Sequence, residues 1–581
     1  MSRYLNNLYG AFLNFLFTHT NMKVFTALKI LFLILCLSLL SLQSEAEILH
    51  QWEVFKISFH SSKEYSNPYK DIPATTGGDL LKVTFEGLRG VALNKKITVV
   101  GFWNGGSEWC VNFAPPYTGE WKYTSFSSDN SMNGITGNLE VISWGVEEQN
   151  ANPTKHGFVR VNKTGEQAGH FFEYSDGQPF LWIGDTWWNW TNNRIQLETF
   201  KQMVDNRAAK GFNVGQLFVP GNGWGRESSL LDETYTKLDT EHAKKVEEMI
   251  RYANSKGITV WIHGWWSRPN LNTEIGAEKM QRGWRYLVHR FGAYNVIWVL
   301  AGEYNMNNYG GFSLDFWKDL GKLIKQEDPY ERIVSVHNTP PFWDGGAEAP
   351  QWATGEIIHQ ESWLDYNQSQ VGHGKYANEM IPQVVSEEYS RKPSKPIVVT
   401  ESWYEFVEGN PTGMDIRFAA WSAILSGAAG HTYGGGHVWL ASVPESPGGE
   451  GPWPIEKGFK RTTYDYEGAE SMKHLADFFK NIKWRNMAPH PELMAEYPQP
   501  FCLAKPGEEY LVYLRYGGTF KIKMDDSAAV GKYKFKWYNP STGEVQDSGT
   551  LQGNKLIQFN CPEAYPSVPN YKDWVLYIHR E

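Results

Sequence analysis

A chain of 581 residues exceeds what one core can organise, and at about 100–200 residues per domain it divides into about three. Its composition is globular, with 41% hydrophobic and 20% charged residues, while a net charge of −9 without any Lys/Arg cluster excludes the basic face that a nucleic-acid partner needs. The aromatic count is high at 26 Trp, 30 Tyr and 31 Phe, which suits either large β-domain cores or a partner with flat apolar faces, such as a sugar.

The N-terminus reads as an export signal. Lys23 and Lys29 precede the apolar run Ile30–Leu42, and Ser44-Glu45-Ala46 places small residues where a signal peptidase cuts. Met22 offers an alternative start. The run is shorter than the roughly 20 residues that span a bilayer, so no stable membrane span is expected in the mature chain, which begins near Glu47. Cys36 follows Leu35 rather than a small residue, so lipidation is not expected. Cys110, Cys502 and Cys561 remain; Cys502 and Cys561 either pair or stay buried thiols.

Residues 47–154 show short alternating runs, Leu80–Gly87 and Lys96–Trp103 among them, and Pro115–Thr124 is a turn followed by another. This rhythm predicts a small antiparallel β-sandwich, for bracing or for glycan binding. From 155 to 484 strand and helix periods alternate. Strands are expected at Phe180–Gly184, Val214–Val219, Ile258–His263, Val296–Ala301, Arg332–His337, Ile357–Gln360, Ile397–Thr400 and His431–Tyr433. Helices are expected at Thr199–Lys210, Glu241–Ser255, Ala277–Phe291, Phe312–Glu327, Tyr376–Tyr389, Asp415–Leu425 and Ala469–Lys480. Eight such alternations fit a (β/α)₈ TIM barrel, and no Gly-rich phosphate fingerprint follows the first strand. The Pro/Gly-rich stretch Ala441–Pro454 is a loop on the barrel face that carries active sites, placed to form a wall or lid. Residues 485–581 return to alternating runs (EYLVYLRY, KYKFKWYNP, WVLYIHR) and predict a second small β-sandwich.

Two apolar runs, NVIWVLAGE and PIVVTE, each close on a glutamate, Glu303 on strand four and Glu401 on strand seven. Catalytic side chains of such barrels stand at the C-terminal strand ends, and paired carboxylates are what cleavage of a glycosidic bond needs. By position Glu303 is the candidate general acid/base and Glu401 the candidate nucleophile. Either could instead make a structural salt bridge. Asp185, Glu361 and Glu405 also follow predicted strands, with Glu361 the first substitute and Asp185 suited to binding a hydroxyl or orienting a neighbour. Aromatic residues crowd the same ends: Trp187, Trp188, Trp224, Trp265, Trp266, Trp363 and Trp403 are candidate sugar-stacking platforms. His263, His337, Asn338 and Tyr433 are candidates for hydrogen bonding to sugar hydroxyls or for supporting a carboxylate.

The segment Lys155–Gly225, with KHGFVRV, GQPFLWIGDTWWNW, KGFNVGQLFV and PGNGWG, resembles the apiosidase-like glycoside hydrolases, and WVLAGEYN and VVTESW fall where that family carries its catalytic pair. FEG, VGFWNGG and PPYTGEWKYT resemble the accessory domain found ahead of such barrels, and the C-terminal segment is similar to the family's collagen-binding-type β-sandwich. The resemblance implies an exported, periplasmic, cell-surface or secreted retaining hydrolase of complex plant or algal polysaccharides, as in Bacteroidetes-like bacteria. Many barrel glycosidases place Asn before the acid/base, where this chain has Gly302. No metal or organic cofactor is implied. Two other readings stay open: a non-catalytic carbohydrate-binding barrel, and a polysaccharide lyase recruiting Arg268 and His263.

Overall fold

The computed structural model describes residues 46–68, 80–219, 230, 237–341, 351–441, 464–494, 497–524, 531–563 and 572–581. The export signal up to residue 45, Trp224 and all but Ala441 of the Ala441–Pro454 loop lie outside the described residues.

Eight parallel strands form the central sheet: Trp182–Trp187 (β1), Val214–Phe218 (β2), Thr259–Trp266 (β3), Val296–Gly302 (β4), Val334–Ser335 (β5), Asn367–Gln370 (β6), Ile397–Glu401 (β7) and Gly430–Tyr433 (β8). Their order is β5-β4-β3-β2-β1-β8-β7-β6, so sequence neighbours pair and β1 joins β8. At the remaining seam, Asp365 N donates to Val334 O at 2.9 Å and Ser335 Oγ to Tyr366 O at 2.8 Å. Higher up, the Asn338 amide accepts from Gln370 N at 3.0 Å and donates to Gln370 O at 3.2 Å, so a side chain bridges the seam there. The sheet is a TIM barrel. Every residue of β4 is buried, as expected where one strand face meets the barrel interior and the other the helices.

Helices follow the strands, the principal ones being Leu197–Ala209 (α1), Thr240–Ser255 (α2), Gly276–Phe291 (α3), Leu314–Glu327 (α4), the single turn Gly355–Ile358 (α5), Lys375–Ser390 (α6), Gly413–Leu425 (α7) and Glu467–Phe479 (α8). Asp239 and Ser313 cap α2 and α4 by accepting from His242 N and Phe316 N, which satisfies first-turn donors.

Two strand expectations need correction. The run Ile357–Gln360 is not strand six: Gly355–Ile358 is helical, Ile357 is 44% exposed, and β6 lies further on at Asn-Gln-Ser-Gln. Those polar side chains are buried because the barrel satisfies them; Ser369 Oγ donates to Trp352 O at 2.8 Å and Gln368 Nε2 to Tyr366 OH at 3.2 Å. Strand one starts two residues late, because Pro179–Phe180 pairs with Phe172–Glu173 in a small three-stranded sheet instead.

Antiparallel β layers flank the barrel on both sides in sequence. The N-terminal part sets a five-stranded sheet against the pair Phe55–Tyr65 and Phe102–Phe113, with Glu47–His50 the one strand pairing in parallel. Phe85 and Phe113 stack at 3.6 Å in its core. It docks through a buried network in which Arg290 bonds Asn104 at 3.0 Å and Glu247 accepts from Asn112 at 3.0 Å. The C-terminal part pairs a six-stranded sheet with Thr519–Lys523 and Leu556–Asn560, and Arg417 of α7 holds Asp573 through Nε at 2.8 Å. Cys110, Cys502 and Cys561 are free thiols, so Cys502 and Cys561 do not pair, and burial pushes all three thiols up.

Candidate active site

Glu303 stands one residue past β4, 6% exposed, with a φ of +43° in the left-handed region. A non-glycine residue there is strained by about 1–3 kcal/mol, and such strain gathers at functional sites. The loop continues the pattern, since Asn307, Asn308, Tyr309, Gly310 and Gly311 all have positive φ. Gly302 has no room for a side chain: a Cβ would lie 2.3 Å from both Cε1 and Nε2 of His263 and 2.6 Å from Trp266. Trp266 Nε1 donates to Glu303 Oε2 at 2.8 Å and Gln370 Nε2 to Oε1 at 3.2 Å. Both bonds favour the carboxylate, yet burial and then the charge of Glu401 dominate and raise the Glu303 carboxyl to about 8. It is therefore chiefly protonated at neutral pH.

Glu401 closes β7 and is 4% exposed. His373 Nε2 is 3.2 Å from its Oε1, and His337 Nε2 is 3.4 Å from its Oε2 without hydrogen-bond geometry. The Tyr404 hydroxyl bonds to Glu401 and accepts from Trp188 Nε1 at 3.2 Å. Burial keeps His263 and His337 neutral: His263 falls to about 3, and His337 falls well below its ordinary value, with His263 adding to the shift. His263 Nδ1 donates to Gly264 O at 2.7 Å, which leaves Nε2 as an acceptor without a protein partner. Trp188 packs edge-on against His263 at 5.3 Å and Trp266 at 5.7 Å, while His263 stacks on Trp266 at 5.1 Å. Polar side chains floor this chamber; Trp182 Nε1 and Gln216 Nε2 both donate to Thr432 Oγ1, at 3.0 and 3.1 Å.

The barrel thus gathers Glu303, Glu401, Trp188, His263 and His337 around one space. Other candidates lie elsewhere. Asp185 and Trp187 face α1, where the Asp185 carboxylate accepts from Arg207 Nε at 2.7 Å and Trp187 Nε1 at 2.8 Å and Trp187 packs on Phe200. Trp265 also faces outward, packing on Trp284, and Tyr433 donates to Glu405 at 2.6 Å against the first turn of α8. Glu361 and Trp363 precede β6 and so belong to the opposite end of the barrel. Glu361 pairs with Lys318 at 3.3 Å, and Trp363 fills the notch at Gly321, where a Cβ would meet it at 2.2 Å. Asn338 is spent on the β5–β6 seam, and Trp403 Nε1 donates to Val407 O at 3.0 Å and Glu408 O at 2.7 Å in its own loop.

Register accounts for Asp185 and Trp187, and the true position of β6 for Glu361 and Trp363. Side chains alternate between the barrel interior and the helix layer, so a residue near a strand end reaches the site only with the right register. Gln370, His373 and Tyr404 are the additions, while Trp266, expected as a stacking platform, donates to Glu303. Tyr404 follows the named candidate Trp403, and His373 sits in a Gly-flanked loop; Gln370 required the true position of β6.

An eightfold parallel barrel with two buried glutamates at the ends of β4 and β7, inside a chamber of neutral polar and aromatic side chains, is the architecture of a barrel glycoside hydrolase. The pattern of the apiosidase-like catalytic domain matches residues 166–486, more than half of the chain, and the protein belongs to the apiosidase-like family of glycoside hydrolases. Residues 48–128 match a domain of unknown function, and residues 495–579 match a collagen-binding-type domain of a collagenase. Among solved structures, a glycoside hydrolase from Bacteroides vulgatus aligns over 92% of this chain and 100% of its own, with 18% identity and a TM-score of 0.68. A glycoside hydrolase family 5 protein from the same organism aligns over 74% of this chain and 94% of its own, with 19% identity and a TM-score of 0.63. These likenesses carry the fold. No curated protein matches the sequence. Among the described residues no helix is long and apolar enough to cross a membrane.

Proposed function

We propose that this enzyme hydrolyses O-glycosidic bonds in a complex plant or algal polysaccharide outside the cytoplasm, with retention of anomeric configuration. Glu303 is the general acid/base and Glu401 the nucleophile. The observation that carries this reading is the division between the two carboxyls: Glu303 is held protonated by burial and by the neighbouring charge of Glu401, while Glu401 is lined by His373, His337 and Tyr404. A carboxyl kept protonated beside a second carboxyl that bonds to neighbouring side chains is what an acid and a nucleophile require. Glu303 protonates the leaving oxygen as Glu401 attacks the anomeric carbon; Glu303 then takes a proton from the water that releases the sugar.

Export follows from the apolar leader, and the polysaccharide class from the family resemblance. The neutral, aromatic chamber supports a carbohydrate occupant, since ring faces stack on sugars and unpartnered buried polar atoms await hydroxyls. A lyase fits less well, because Arg268 is engaged by Glu274 at 3.0 Å through Nε and burial lowers His263 to about 3, which makes it a weak base.

The test is product release from a panel of plant and marine-algal polysaccharides by wild type, Glu303→Gln and Glu401→Gln. Saccharide release by wild type, lost in both folded variants, supports the reading and names the substrate. An unsaturated, ultraviolet-absorbing product would replace hydrolysis with elimination.

A further inference from the structure

We propose that Gln370 supplies the amide that reads the substrate beside the carboxyl pair: its N–H end holds Glu303, and its carbonyl end accepts the hydroxyl on the carbon next to the anomeric carbon. The proposal rests on the hydrolase reading above and narrows its substrate to glycosides in which that hydroxyl is free.

Regular alternation along β6 puts Gln370 on the same face as Gln368, and an irregularity in β7 brings Glu401 opposite it. β6 and β7 pair through Asn367–Ile397, Gln368–Val398 and Ser369–Val399, after which Gln370 faces Glu401 and Thr400 is left unopposed. The extra residue, Thr400, bends β7 and re-aims Glu401, and such bulges recur beside active sites. Gln370 is thereby the cross-strand neighbour of one carboxylate while its Nε2 reaches Oε1 of the other at 3.2 Å. Its main chain is clamped separately by the Asn338 amide, at 3.0 and 3.2 Å, so the side chain is positioned without depending on Glu303.

Two further observations point to a ligand. Gln370 is 4% exposed, and its Oε1 is buried with no protein partner, a costly state for a carbonyl oxygen unless something donates to it. Residue 302, adjacent to Glu303, contributes no side chain because His263 occupies the position of its Cβ. With Glu303 at the leaving oxygen and Glu401 at the anomeric carbon, a group bonded to the first and paired in the sheet with the second is in reach of the substituent on the adjacent carbon. An acceptor there takes a hydroxyl proton and gains nothing from a ring oxygen. Deoxy and O-substituted sugars are disfavoured for the same reason.

The test measures kcat/KM for 2,4-dinitrophenyl glycosides of neutral hexoses and pentoses, each with its 2-deoxy counterpart, using wild type, Gln370→Met and Gln370→Asn. Circular dichroism reports the fold of each variant. Deoxygenation itself changes intrinsic reactivity, so the readout is the parent-to-deoxy ratio compared between enzymes. Gln370→Met is expected to cut that ratio by on the order of 100-fold, mostly by slowing the parent glycoside, because contacts to this hydroxyl strengthen in the transition state. Gln370→Asn, a shorter amide, gives the same collapse and serves if the Met variant does not fold. Loss of the N–H donor also moves the basic limb of the pH profile upward, which a purely structural residue would not do. A ratio unchanged in a folded variant overturns the proposal and passes the role to His263 Nε2. If wild type cleaves none of the glycosides but releases saccharide from a polysaccharide, the ratio is taken on the released oligosaccharide and its 2-deoxy form; if it acts on neither, the hydrolase reading fails and the proposal falls with it.

Discussion

The indole N–H of Trp266 donates to Oε2 of Glu303 at 2.8 Å, committing one oxygen of the buried carboxyl before any substrate arrives. The other oxygen receives only the longer bond from Gln370, at 3.2 Å, and is the better placed to carry the acid's proton. The carboxyl proposed as the general acid is thus oriented by a side chain on the neighbouring strand.

The pH dependence follows. Glu303 is raised from an ordinary 4.5 to about 8, so the acid form is present at neutral pH and is lost as pH rises through about 8. Activity on a substrate with a poor leaving group is expected to fall above that pH. Stability carries the same sign: the native state holds a proton that the unfolded chain releases above 4.5, so Glu303 penalises the fold increasingly between about 4.5 and 8. Glu303→Gln is expected to gain melting temperature relative to wild type on going from pH 5 to pH 9. An unchanged difference across that range contradicts the assignment.

Asp185 is expected to matter for stability rather than chemistry. Its carboxylate and Arg207 form a fully buried ion pair at 2.7 Å, and removing one partner of such a pair costs about 3–5 kcal/mol. Asp185→Ala should lower the melting temperature strongly while leaving the KM of the folded fraction unchanged. A raised KM without loss of stability would return Asp185 to the substrate cleft.

Gly302 and His263 are expected to couple. Gly302→Ala places a methyl 2.3 Å from the imidazole, an overpacking that costs about 1–3 kcal/mol. Adding His263→Ala opens that space, so the double variant should be more stable than the sum of the single effects, as read by denaturant unfolding. Strict additivity would mean the imidazole is not what excludes a side chain at 302.

Tyr404→Phe removes the hydroxyl that bonds Glu401 and receives the Trp188 indole N–H. Orienting contacts of this kind are typically worth about 10–100-fold, so kcat should fall by that order with melting temperature nearly unchanged. Undiminished kcat would show that Tyr404 does not position Glu401.

The barrel was legible in the sequence where burial writes an apolar run. β4 and β7, carrying VIWVLAG and IVVTE, sit where those runs stand, and so do the glutamates that end them. β6 was not legible, because its Asn-Gln-Ser-Gln is buried through hydrogen bonds to distant partners that no local pattern reveals, and the apolar pair of Ile357–Gln360 imitates a strand. That error carried Glu361 and Trp363 to the wrong end of the barrel. Trp265 and Trp266 show the other limit: adjacent in sequence, they point to opposite layers, one against Trp284 and the other onto Glu303. Composition can announce an aromatic rim, but only register decides which rings face it. Gln370 depends on a polar strand, and its pairing with Glu401 on a one-residue shift in β7, which places that pairing furthest from what local sequence encodes.

The division of labour between the two glutamates is tested most directly by leaving-group dependence. On glycosides of the sugar that wild type releases, Glu303→Ala should lose about 1,000-fold or more in kcat/KM with a poor leaving group such as methanol, and within about tenfold with 2,4-dinitrophenolate, which departs without a proton. Glu401→Ala should lose activity on both, since no leaving group replaces a nucleophile. Equal losses for Glu303→Ala on the two substrates, or a Glu401→Ala enzyme that still turns over the activated one, would contradict the account.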